Sequence, residues 1–365
     1  MVKLKNKENI QFRILYFIGI VLIVANHAGG GGISLFYEWF PAYSFHLALF
    51  VFCSGYFFIK NREEKVHKFI LKLFKKFLIP LYFWNLIYGL ILMMLHKIGI
   101  NFGMPLNLKT LFIFPMYNGH QFMFNLSSWF IWPLFIIELV NIFILKLLKD
   151  RKINYYLYFI LTLILGFIGV KLAMMWYNTG MMLLLCKVLY FLPFFSLGML
   201  YKFDLESKDK LNNTIYFILL FAITLITIFI FKGTIEYVPS WCNNFDNVFR
   251  PFIVGVLGIL FWLRISKILV PFLRNNKFVM LMSRNTFSIM MHHLMGFFLL
   301  NSFYYFCFKV LRIINDFNYK VYASDIYYRY LPYGLTQFNI LYVISGFAFS
   351  MLIIFIINKI KSIKS

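Results

Sequence analysis

The sequence predicts an all-α, polytopic integral membrane protein of about ten transmembrane helices, with its N- and C-termini in the cytoplasm. Three observations carry this. Of 365 residues, 62% are hydrophobic and only 13% are charged, whereas a soluble domain is roughly a quarter charged. Apolar runs of the roughly 20 residues needed to cross the hydrocarbon layer recur along the whole chain. The basic residues fall in every second connection between those runs.

The spans are read at about 12–28, 43–59, 77–95, 128–148, 154–176, 181–201, 213–232, 251–270, 283–302 and 339–358. They are read as helices because a lone strand in lipid leaves its N–H and C=O groups unpaired. The runs are also too long and too uniformly apolar for barrel strands. The run Ile14–Ala28 is read as the first span and not as a cleaved leader, because no small-x-small site follows it, only Gly29–Gly32. Those glycines are expected to form a flexible turn, since no Lys-Ser/Thr follows to make a phosphate loop. With no internal repeat, low-complexity tract or soluble accessory domain in evidence, residues 1–365 are read as one transmembrane domain.

The net charge of +23 would point to nucleic acid in a soluble protein. Here its distribution gives another reading. With the N-terminus inside, the inner segments hold Lys3, Lys5 and Lys7, then the lysines from Lys60 to Lys76, then Lys149, Arg151 and Lys152. Further along come Lys202, Lys208, Lys210, Arg264, Lys267, Arg274, Lys277, Lys359, Lys361 and Lys364. The outer segment 96–127 offers only Lys97 and Lys109, and 233–249 carries Glu236 and Asp246. This is the positive-inside pattern, and it makes a nucleic-acid partner a poor expectation. The outer segments 96–127 and 303–338 are rich in aromatic residues and Asn and are expected to cap a site facing outward.

Cys53, Cys186, Cys242 and Cys307 lack metal-ligand spacing, so neither a metal site nor a disulfide framework is expected. Ionisable groups inside spans are costly and tend to be functional. They are His27, His46, Glu138, Lys171, Lys187 and His292 or His293, with Arg13 at the inner mouth of the first span. Glu138, Lys171 and Lys187 have a plain reading, pairing with one another or snorkelling. His27 ends the first span, His46 begins the second, His293 lies in the outer half of the ninth and Trp129 begins the fourth. All four thus share one depth, and histidine is the natural general base near neutral pH. The plain reading of Trp129 is a membrane-interface aromatic.

Several stretches resemble a known family. Gly19 to Ala28 ends an apolar run in His27, and Phe45-His46-Leu-Ala-Leu-Phe50 leads into Ser54-Gly55-Tyr56-Phe57. Together these resemble the opening of the acyltransferase-3 family, membrane O-acyltransferases that acylate sugars of bacterial surface polymers. Lys72-Leu-Phe-Lys75-Lys76-Phe-Leu-Ile-Pro80, Ser128-Trp129-Phe130 and Asn285-Thr-Phe-Ser288 through His293 are similar to later family segments, in order along the chain. The chain departs from the pattern where the family carries Arg or Lys eleven residues before the first histidine, a position held here by Tyr16. Arg13 lies fourteen before it, and at 100° per residue both offsets fall within about 40° of His27.

The resemblance implies an O-acyltransferase of the cytoplasmic membrane. It would move an acyl group, acetyl in most of the family, from acyl-CoA to a hydroxyl of a surface or exported polysaccharide or lipid-linked sugar, with no bound cofactor. Arg13, Lys72 and Lys75 are then expected to bind the anionic CoA. His27 would be the base, with His46 and His293 orienting it or the acceptor, and Trp129 would stack on a sugar ring. A covalent acyl-histidine stays open beside the general-base route. Lys68, Lys72, Lys75 and Lys76 share a face by their helical spacing, which equally fits a basic stretch on anionic lipid. The competing class is a transporter or flippase of a lipid-linked sugar. It fits the helix count, but it lacks the paired, broken spans expected of such folds.

Overall fold

A computed structural model describes residues 8–29, 40–58, 65–148 and 153–364. The chain forms α1 (Ile10–His27), α2 (His46–Phe58), α3 (Val66–Leu73), α4 (Ile79–Lys97), α5 (Phe114–Tyr117), α6 (Ile131–Leu147), α7 (Tyr155–Met174) and α8 (Gly180–Leu200). There follow α9 (Glu206–Lys208), α10 (Asn213–Phe231), α11 (Arg250–Leu273), α12 (Lys277–Arg284), α13 (Thr286–Phe306), α14 (Tyr319–Ser324) and α15 (Asn339–Lys364). Among the described residues, nine helical runs are long and apolar enough to cross a bilayer, and Ala42–Phe58 is a shorter apolar tenth. These are the ten expected spans. No strand forms among the described residues beyond one bridge between Val238 and Asn243. Lys3, Lys5, Lys7, Lys60, Lys149, Arg151, Lys152 and the glycines at 30–32 lie outside the described residues.

Helix starts follow local chemistry. Asn9, Asn154, Asn212 and Asn276 precede α1, α7, α10 and α12, and each side-chain oxygen accepts from an N–H of the first turn. This caps otherwise unpaired donors. Helix α8 is the hub, buried along most of its length, whereas α10 turns Ile218, Ile226, Phe229 and Ile230 outward as a lipid-facing helix does. Two glycines let α2 and α8 touch backbone to backbone. A Cβ on Gly55 would lie 1.9 Å from Phe195 O, and one on Gly198 would lie 2.0 Å from Phe52 O. Small residues at a crossing are how membrane helices gain dispersion contact without a hydrophobic drive.

Helix α15 packs antiparallel to α13 through Gly346, whose added Cβ would meet His293 Cβ at 3.1 Å. At its start, Asn339 Nδ2 donates to Gly29 O at 3.3 Å, just past the end of α1. The first and last helices therefore run in opposite directions, and the start of α1 and the end of α15 lie at one end of the bundle.

Two expectations are corrected. The third span was read from about 77, yet from Val66 the chain is already helical and runs unbroken to Lys97. Phe69, Leu73 and Phe77 recur on one face and are buried, so the basic stretch is an amphipathic extension of the third span. Its helix passes through a π-helical turn at Phe74–Leu78. Glu138, Lys171 and Lys187 do not pair with one another. Buried Glu138 lies 4.0 Å from Lys76, Lys187 Nζ donates to Tyr117 O at 2.7 Å, and Lys171 is exposed.

Candidate active site

Helix α1 ends in His27 and α13 carries His293, and their rings stack with centroids 5.0 Å apart and planes 17° from parallel. His27 Nδ1 lies 2.9 Å from His293 Nε2. His293 Nδ1 lies 2.9 Å from Ile289 O. A carbonyl only accepts, so His293 carries its hydrogen on Nδ1 and, as a neutral ring, offers the Nε2 lone pair. His27 Nδ1–H then donates to it, which leaves His27 Nε2 as a bare lone pair. Two helices thus set the tautomer of a half-buried histidine through a fully buried one.

His46 begins α2 and is buried, and its Nδ1 donates to Ala42 O at 2.6 Å. Among the described residues no hydrogen bond joins it to His27. His292 faces away from the pair, with Tyr88 Oη 2.6 Å from its Nδ1 and Trp84 edge-on at 4.2 Å.

A cavity of about 1250 Å³ reaches toward these histidines from the end of the bundle where α1 begins. Its walls are helical stripes. On α1 they are Arg13, Tyr16, Ile20 and Ile23, and the next position of that stripe is His27. On α2 they include Phe57, Ser54, Phe50 and Leu47, next to His46. On α13 they are Thr286, Phe287 and Met290, one turn before His293. Three stripes therefore converge on three histidines. Phe130, Ile131 and Leu134 close the opposite wall. The inner part is apolar, and the charged groups gather at the mouth.

The mouth holds Arg13, Arg284, Lys76 and Lys202 together with Glu8. Glu8 is shared by Arg13 at 2.6 Å and Arg284 at 2.7 Å, and the Arg284 hydrogen bond foremost holds its carboxyl below the ordinary value. Lys202 pairs with Glu206 at 2.9 Å and donates to Tyr56 Oη at 3.1 Å. Of the cations expected to bind an anion, Arg13 lines the cavity, while Lys72 and Lys75 are exposed and lie outside its lining. The π-turn at Phe74–Leu78 shifts the register of that face, and Lys76 is the lysine it supplies. A second π-turn, Tyr201–Leu205, carries Lys202. Neither Lys202 nor Arg284 was singled out from sequence. Lys202 carried only the signal of an inner-segment base, and Arg284 fell just inside the start of the ninth span as read. Tyr16, which stands where the family has a cation, is in the same wall as Arg13.

Trp129 is buried. Lys187 Nζ sits 4.8 Å from its ring and His120 stacks at 6.4 Å. His120 also stacks on Trp241 at 4.3 Å, and burial foremost pushes its imidazole down to about 3. The structure therefore places Trp129 in a packed aromatic cluster, beside Phe130 of the cavity wall.

The arrangement offers a long cavity with an anion-attracting mouth, an apolar lane and an oriented nitrogen base one turn beyond the Ile23, Leu47 and Met290 that line its inner part. Comparison with curated proteins and with solved structures finds no match. The family described as an acyltransferase domain, acyltransferase-3, matches residues 10–359, nearly the whole chain. The chain belongs to the acyltransferase-3 family and is a multi-pass membrane acyltransferase.

Proposed function

We propose that the protein transfers an acyl group, acetyl in the first instance, from cytoplasmic acyl-CoA to a hydroxyl of a surface or exported polysaccharide in the cytoplasmic membrane. The observation that carries this is the cavity running from the Arg13–Arg284–Lys202 mouth to one turn short of the His27–His293 pair. Fourteen residues of helix separate Arg13 from His27, about 21 Å at 1.5 Å each, a reach comparable to an extended pantetheine arm. The mouth cations suit the phosphates of CoA, and the apolar lane suits the arm.

In this reading His27 Nε2 takes the proton of the acceptor hydroxyl as its oxygen attacks the thioester carbonyl carbon. The C–S bond breaks, the ester forms, and the proton on His27 passes to the departing thiolate to give free CoA. His293 accepts the Nδ1–H throughout and so steadies the imidazolium that forms in between. The termini face the cytoplasm, where the donor is made. The test is to incubate membranes with acetyl-CoA labelled in its acetyl group. Label on polysaccharide supports the transferase. Label that stays on CoA while a lipid-linked sugar changes leaflet supports a flippase instead.

A further inference from the structure

Arg329 stands on the loop that crosses the outer side of the histidine pair, opposite the donor cavity. Tyr327, two residues earlier, has its ring 6.3 Å from that of His27. Arg329 Cζ lies 5.9 Å from the centre of Phe297, whose ring meets His293 edge-on at 5.7 Å. The loop is held from two helices. Asn301 of α13 donates to Tyr328 O at 2.6 Å and accepts from Tyr330 N–H at 3.1 Å. Tyr342 of α15 donates to Tyr330 O at 2.9 Å. Arg329 is thus presented on a braced backbone.

Its charge is not matched. Arg13, Arg250 and Arg264 are the other buried or half-buried arginines among the described residues, and each is bridged to a carboxylate. Among the described residues no carboxylate lies within bridging distance of Arg329. Asp325, the acid on the same loop, accepts instead from Tyr327 N–H at 2.8 Å. Arg329 Nη1 donates to Tyr327 O at 2.9 Å, and its Nε is buried without a partner. A half-buried guanidinium with no counter-anion is costly unless a ligand supplies one.

We propose that Arg329 binds an oxyanion carried by the acceptor, so that the acceptor is an acidic glycan bearing a carboxylate or phosphate near the reacting hydroxyl. A guanidinium edge matches such a group with two parallel hydrogen bonds. The bond would fix the sugar over His27 from the outside, while the donor arrives from the other end. The proposal rests on the transferase reading for which hydroxyl reacts, and its test reads binding and not turnover.

The test is calorimetric titration of the full-length protein in detergent with tetragalacturonic acid and with the same tetrasaccharide reduced at its carboxyls. The wild type is expected to bind the acidic form about tenfold or more tightly than the neutral one. Arg329→Gln is expected to lose that preference with acetyl-CoA binding unchanged, and Arg329→Lys to keep part of it. Inorganic phosphate should compete with the acidic form in the wild type and not in Arg329→Gln. A site suited to phosphate yields to this competition more readily than one suited to carboxylate, so its strength separates the two sources. Equal binding of acidic and neutral forms by the wild type overturns the proposal. So does acid binding undiminished in Arg329→Gln, or Arg329-dependent binding seen only with phosphatidylglycerol vesicles. If Arg329→Gln does not fold, the wild-type comparison and Arg329→Lys decide. Acidic preference without any acyl transfer from CoA would defeat the donor reading and leave this one standing.

Discussion

Replacing His293 by Phe tests the hydrogen-bond chain that aims His27. The substitution keeps an aromatic ring in a fully buried position but removes the nitrogen 2.9 Å from His27 Nδ1. The His27 Nδ1–H is then left without its acceptor, at a cost of about 1–3 kcal/mol for a desolvated donor. The ring is also free to turn or to adopt the other tautomer, which places the hydrogen on the nitrogen that must act as base. At about 1.4 kcal/mol per factor of ten, the lost preorganisation lowers kcat by about 5- to 150-fold. KM for acetyl-CoA should hardly move, since the cavity wall stops at Met290. His293→Gln, whose side-chain carbonyl can accept the same hydrogen, should recover part of the loss. The assay is acetyl transfer from labelled acetyl-CoA in membranes, with expression level normalised. Wild-type kcat in His293→Phe, or a loss confined to KM, would refute the orienting role.

Three further outcomes follow from the geometry. Gly55→Ala drives a Cβ to 1.9 Å from Phe195 O and must part α2 from α8. It should cost about 1–3 kcal/mol and lower the unfolding temperature in detergent, and an unchanged midpoint would contradict the close crossing. Ile20→Trp fills the apolar lane and should raise KM for acetyl-CoA by about tenfold or more without weakening acceptor binding. An unaltered donor KM would remove the lane from the donor path. Glu8 has its carboxyl held below the ordinary carboxylate value, foremost by its hydrogen bond to Arg284, so its contribution to stability is present above the ordinary value and fades as pH falls through its folded value. Glu8→Gln should therefore flatten the loss of stability on acidification below about pH 4.5, and an identical acid profile in the two proteins would contradict the clasp.

Much of the site was legible because it lies on regular helices. The stripe from Arg13 through Tyr16 to His27 follows from 100° per residue alone, and the span boundaries put His27 and His46 at the depth of His293 in the outer half of the ninth span. What stayed hidden depends on breaks in regularity or on distant contacts. The π-turns at Phe74–Leu78 and Tyr201–Leu205 choose Lys76 and Lys202 over their neighbours, and composition does not announce an extra residue in a turn. Arg284 meets Glu8 across most of the chain's length. Arg329 is placed by bonds from Asn301 and Tyr342 to its loop, and no local pattern encodes those.

The most direct test of the central claim is acetyl transfer by the full-length protein in proteoliposomes, comparing the wild type with His27→Ala while labelled acetyl-CoA is supplied to the face bearing the termini. The wild type should acetylate acceptor on the opposite face, and His27→Ala should lose the roughly 10²- to 10⁴-fold that a general base supplies. Undiminished transfer in His27→Ala, or transfer only when the donor is offered on the other face, would contradict the account.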